Sequence, residues 1–141
     1  MSALTAKMTW KGGLKFEGVS TFGYPVVADV RKDVGGNEEG ARPTELLLYA
    51  VASCTGVDVI RILQKQRQKI DSLEIEVVGH QREEYPKAFA KLEVKYIARG
   101  ADLDEKKLAR AIELSEKKYC SVSATVTCSG EVVTSFEILD D

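Results

Sequence analysis

The sequence predicts an α+β fold, antiparallel sheets around one long buried helix. Three observations carry that expectation. Apolar and polar residues alternate with the period of two that a half-buried strand requires, first near the N-terminus and again around residues 73–96. The stretch "PTELLLYAVASCTGVDVIRIL", opening at Pro43, is apolar nearly all round, as a helix covered on most sides must be. A third segment, from Asp102 to Tyr119, is amphipathic with helical spacing.

In chain order, Leu4, Ala6, Met8 and Trp10 alternate with Thr5, Lys7 and Thr9, "KGG" turns the chain, and Leu14 and Phe16 restart the pattern. "YPVVADV" follows the Gly23 turn, so residues 3–30 read as a three-stranded antiparallel meander. "RKDVGGNEEGA" is polar and glycine-rich, hence a loop. Pro43 suits the first position of a helix, where its missing N–H would be unpaired in any case, and the helix is expected to run to about Gln68, with "QKQRQK" as its solvated end. Leu73, Ile75 and Val77, the turn "REEYPKAF", and then Leu92, Val94 and Tyr96 make a β-hairpin. Asp102 with Glu105 forms a capping-box pattern for a second helix, along which Leu108, Ala111, Ile112, Ser115 and Tyr119 recur. "SVSATV" reads as a short third helix, and "EVVTSFEIL" as the last strand.

With 141 residues, 44% of them hydrophobic and 30% charged, the chain is read as one domain over residues 1–141 with a core of its own. A net charge of -2 with no basic stripe argues against nucleic acid and anionic membrane surfaces as partners. The first twenty residues lack a signal-peptide apolar core, and the run "ELLLYAVASC" falls short of the roughly 20 residues a membrane span needs, so a cytoplasmic protein is expected. Three cysteines and a single histidine are too few for a disulfide framework. They match no zinc spacing, and the glycine pairs match no phosphate-cradling motif, so neither a metal nor a cofactor is expected.

The cysteines carry the chemistry. Cys54 lies midway along the long helix and reads either as a small buried hydrophobe or as a reactive thiol. Asp58 and Arg61 fall within roughly 40° of its face, which is unusual for a packing stripe. Cys120 stands where the second helix gives way to the third, and there unpaired N–H groups would lower a thiol pKa. Cys128, near the last strand, has no ionisable neighbour in sequence and reads as structural, and His80 reads as a surface residue.

The two cysteine segments, "RPTELLLYAVASCTGVDVIRILQKQRQ" and "LSEKKYCSVSATV", resemble the paired motifs of the OsmC/Ohr family, most closely its YhfA-like branch, and the element order matches over nearly the whole chain. The resemblance implies an intertwined homodimer with long helices packed between sheets. It also implies a thiol peroxidase that takes organic hydroperoxides as substrate and a cellular dithiol as reductant. By that analogy Cys54 attacks the peroxide and becomes a sulfenic acid, Cys120 condenses with it to a disulfide, and Glu45 stands near the place of the family's catalytic glutamate. Family members with peroxidase activity add an arginine from the N-terminal hairpin. Here "WKGGLKFEG" holds lysines only, leaving Arg42, Arg61, Lys11 and Lys15 as alternatives for the activating cation. A different reading of the same fold is a non-enzymatic dimer that binds a small apolar ligand or a partner.

Overall fold

The computed structural model describes residues 2–127 and 130–140. The chain divides into two compact units, Met1–Leu47 and Leu48–Asp141.

In the first unit β1 (Thr9–Trp10), β2 (Phe16–Val19) and β3 (Pro25–Ala28) form an antiparallel sheet in that order. The expected meander is present, with a first strand of two residues only. β2 pairs through Phe16 and Glu17 with Trp10 and Thr9, and no ladder partner extends to Leu4 and Ala6. Gly12 and Gly13 turn the chain at φ 94° and 55°, left-handed values that glycine reaches without Cβ strain. The polar loop that follows is built around a buried carboxylate. Asp29 Oδ1 accepts from the Val30 amide at 2.7 Å and Oδ2 from the Asn37 and Glu39 amides at 3.3 and 3.1 Å. These bonds, the one from Val30 above all, hold the Asp29 carboxyl below its ordinary range. A single 3-10 turn, Lys32–Val34, sits within the loop.

The long helix α1 (Pro43–Lys65) begins in the first unit and continues into the second. It stops short of Gln68 because the chain turns at Gln66 and Arg67, the latter at a left-handed φ of 55°. The second unit holds β4 (Ser72–Gln81), β5 (Phe89–Arg99), α2 (Glu105–Leu114), α3 (Ser121–Thr127) and β6 (Glu131–Leu139), with the sheet ordered β4-β5-β6. β4 and β5 form the expected antiparallel hairpin, whereas β6 runs parallel to β5. The expectation of antiparallel sheets therefore fails at β6, because α2 and α3 form the crossover that carries the chain back to start β6 at the same end as β5.

The core lies in this unit. Val51, Val59 and Leu63 of α1 meet Leu92, Val94, Tyr96 and Ala98 of β5 and Leu108, Ala111 and Ile112 of α2, all buried. The cap of α2 is Asp104, not Asp102: its carboxylate accepts from the Lys106 and Lys107 amides at 2.8 and 3.3 Å. Leu103 before the cap and Leu108 four residues after it both enter the core, a hydrophobic staple that selects this start.

Among the described residues, the buried positions of α1 form one stripe, Val51, Thr55, Val59 and Leu63. Tyr49 and Val57, on other faces, are 61% and 56% exposed. α1 also satisfies the length and hydropathy of a membrane-crossing helix, with a mean hydropathy of 1.8 over its most apolar window. The short apolar run read from sequence understates this, because Thr55, Gly56 and Asp58 interrupt the run without much lowering the average. A core helix meets the same test, and the Val51, Val59 and Leu63 stripe lies in the core.

Candidate active site

Along α1 the buried positions recur every four residues, Val51, Thr55, Val59 and Leu63. Thr55 brings a hydroxyl into that apolar stripe. Cys54 and Asp58, also four apart, flank it, so both side chains project from one edge of the helix. Opposite them, α2 ends in a π turn over Ser115–Tyr119, closed by a bond of 2.7 Å from the Cys120 amide to the Ser115 carbonyl. Cys120 itself is in extended conformation immediately before α3. The expected helix over 102–119 thus loses its regular spacing in its last turn.

This turn brings the two cysteines together. The sulfurs of Cys54 and Cys120 and a carboxylate oxygen of Asp58 all lie within 4.8 Å of one another. Cys120 is buried and accepts from the Ser123 amide at 3.3 Å, while Cys54 is half-buried. The free amides at the start of α3 thus do point at sulfur, as expected from its sequence position. Burial nevertheless pushes the Cys54 thiol up; the Val122 amide opposes the rise, and the Cys120 thiol and the Asp58 charge add to it. Cys54 lies midway along α1 rather than at a helix start, and this chain's own residues do not lower its pKa. Burial dominates, and the charge beside the sulfur is negative.

A chain of hydroxyls ends at Asp58. Ser115 Oγ donates to Asp58 Oδ2 at 2.9 Å. Thr55 Oγ1 lies 2.8 Å from Ser115 Oγ and 2.6 Å from the Tyr96 hydroxyl. Each hydroxyl has one proton, so the carboxylate fixes the direction of every link: Ser115 gives its proton to Asp58, Thr55 donates to Ser115, and Tyr96 donates to Thr55. Tyr96, Thr55 and Ser115 are 1%, 2% and 0% exposed. Burial pushes the Tyr96 hydroxyl up to about 12, which keeps it a donor. On its other side Asp58 lines a cleft of about 330 Å³ with Arg61, Leu114 and Tyr119.

The other sequence candidates lie elsewhere. The Glu45 carboxylate accepts from the Arg42 amide at 3.0 Å, and Arg42 Nε approaches it at 3.9 Å. Lys15 pairs with Glu17 at 3.3 Å. Lys11 and Arg61 are exposed. His80 is a surface residue, as expected, with Nε2 at 3.0 Å from Glu93 Oε2. Cys128 lies outside the described residues. Cys54, Asp58 and Cys120 are also near enough to share a metal ion, a grouping their sequence spacing does not announce. Sequence reasoning placed Asp58 on the face of Cys54 without a role and missed Thr55, Ser115 and Tyr96. The available signal was a hydroxyl inside each of two core stripes, since a buried hydroxyl requires a partner.

Residues 35–135 match the family model described as OsmC-like protein. Over 136 residues the chain is 33% identical to Protein YhfA of Escherichia coli K12, an alignment covering 96% of this chain and 98% of that one. A solved structure of a hypothetical protein from Aquifex aeolicus VF5 shares 35% identity at a TM-score of 0.88, covering 100% of this chain and 99% of the other. The organic hydroperoxide resistance protein OhrB of Bacillus subtilis has the same fold at a TM-score of 0.63, with 22% identity over 95% of this chain and 98% of that one. By sequence and by fold, this chain belongs to the OsmC-like protein family.

Proposed function

We propose that this chain is a thiol peroxidase that reduces organic hydroperoxides through Cys54 and Cys120. The observation that carries the reading is the approach of the two sulfurs to within 4.8 Å at the junction of α1 and the π turn. From there, modest side-chain motion brings them to the bonding distance of about 2.05 Å. The Cys54 thiolate attacks the peroxide oxygen, the O–O bond breaks, and an alcohol leaves with one proton, so that the thiol becomes a sulfenic acid. Cys120 then displaces water from that sulfur to form the disulfide, and a cellular dithiol returns both thiols by exchange. Glu45 and a cation from Arg42, Arg61, Lys11 or Lys15 belong to the same proposal, as does a cytoplasmic, single-domain homodimer in which a second copy covers Tyr49 and Val57. That copy is also where a charge that offsets the raised Cys54 pKa would enter.

The test is a titration with cumene hydroperoxide. One equivalent per chain should consume two thiols, peptide mapping without reduction should find a 54–120 disulfide, and Cys128→Ser should leave that product unchanged. A dominant 120–128 bridge, or thiols that survive the oxidant, removes the reading. The alternative, a ligand-binding protein of the same fold, draws on the open groove of about 830 Å³ along α1, lined by Tyr49, Val57, Ile60, Leu73 and Ile75. It predicts surviving thiols in the same titration.

A further inference from the structure

Disulfide closure requires a proton to move twice: off the Cys120 thiol, and onto the hydroxide that leaves Cys54. Among the described residues, an ionisable group, Asp58, stands beside both sulfurs. The Asp58 carboxylate oxygen is within 4.8 Å of each, a range bridged by one water or closed by a small rotation. Its other face is fixed by the Ser115 hydroxyl, itself held by Thr55 and Tyr96. The relay of buried hydroxyls fixes the orientation of a carboxylate that lies next to two thiols. Asp58 also lines the cleft that opens beside the site, so protons can exchange with solvent.

Resting on the peroxidase reading above, we propose that Asp58 carries the proton of the resolving step, with Ser115 as its positioning residue. As the Cys120 S–H bond breaks, its proton passes to the Asp58 carboxylate. The sulfur's electron pair attacks the Cys54 sulfenic sulfur and the S–O bond breaks. Asp58 then returns the proton to the departing hydroxide, so that a sulfenic acid and a thiol give a disulfide and one water. The same carboxylate has the opposite effect on the first step, because its negative charge disfavours the Cys54 thiolate that must attack the peroxide.

The two steps can be read separately, with sulfenic acid trapped by dimedone and disulfide followed by mass spectrometry after a pulse of cumene hydroperoxide. In Asp58→Asn, sulfenic acid should form at least as fast as in wild type, and closure should slow by about 100-fold or more, the lower end of the usual range for a lost acid–base group, so that sulfenic acid accumulates. In Asp58→Ala, added formate should restore closure in proportion to its concentration. Ser115→Ala should slow closure less than Asp58→Asn does. In the unaltered protein, closure should be slower in D2O. A closure rate in Asp58→Asn equal to wild type, no rescue by formate, or wild-type closure that is indifferent to D2O each overturns the proposal. Free thiols that survive the pulse in the wild type, with neither sulfenic acid nor disulfide formed, instead remove the peroxidase reading beneath it, so the two failures are distinct.

Discussion

The direction of the hydroxyl chain makes an unequal prediction for its two ends. Tyr96→Phe removes only the first donor. The side chain keeps its volume, Thr55 still donates to Ser115, and one lone pair on Thr55 is left unmatched. The expected loss is that of an ordinary buried hydrogen bond, about 1 kcal/mol. Ser115→Ala removes the middle. It strands the Thr55 donor at a 2% exposed position and takes a bond from the Asp58 carboxylate. With a stranded donor and a lost bond to a charged group, the cost is about 3 kcal/mol. Urea unfolding at pH 7 and fixed protein concentration, with unchanged m, measures both. pH adds a second signature. The Tyr96 hydroxyl is raised from its ordinary value to about 12 in the folded state, so the folded protein holds that proton more tightly than the unfolded chain does. This stabilisation is complete below the unfolded pKa of about 10, declines as pH rises toward 12, and amounts to roughly 3 kcal/mol at most. Wild type should lose that increment relative to Tyr96→Phe between about pH 10 and 12. The polarity assigned to the chain is wrong if Tyr96→Phe costs as much as Ser115→Ala, or if the two alkaline profiles run parallel.

Two further outcomes follow from the exposed and buried parts of α1. Alkylation of Cys54 in Cys120→Ser should rise with pH to a midpoint above the roughly 8.5 of a free thiol, since burial disfavours the thiolate; a midpoint clearly below that value would show that a cation from outside this chain's site activates it. The proposed dimer buries Val57, which is 56% exposed in the single chain, so wild type should sediment as a dimer at micromolar concentration and Val57→Asp should dissociate it; a wild-type monomer would leave α1 without its proposed cover.

The fold was legible where a pattern has one structural meaning. The all-round apolarity of α1 and the alternation of β4 and β5 admit no other element, and each appears near its expected place. Patterns with two meanings were read less well. Alternation is the same in parallel and antiparallel strands, so the sense of β6 depended on the crossover through α2 and α3 rather than on its own residues. Alternation is likewise silent about partners, which is why Leu4 and Ala6 lie outside β1. Asp102 and Asp104 both offer a cap, and burial of Leu103 decides between them.

The site was legible in its cysteines and hidden in its hydroxyls, for a geometric reason. On a regular α-helix, Ser115 and Cys120 are five residues apart and point roughly 140° away from each other. A helical wheel therefore assigns Ser115 to the core face with Leu108, Ala111 and Ile112 and gives it no relation to Cys120. The π turn takes one more residue to close, with the Cys120 amide bonding to the Ser115 carbonyl. Ser115 then meets Thr55 and Asp58 while Cys120 stands within 4.8 Å of Asp58 and Cys54. Such an extra residue weakens the helix end where it sits, and π turns of this kind concentrate at functional sites. Here it sets the sulfur of one element against the carboxylate of another, and three hydroxyls link that carboxylate to the central strand of the sheet.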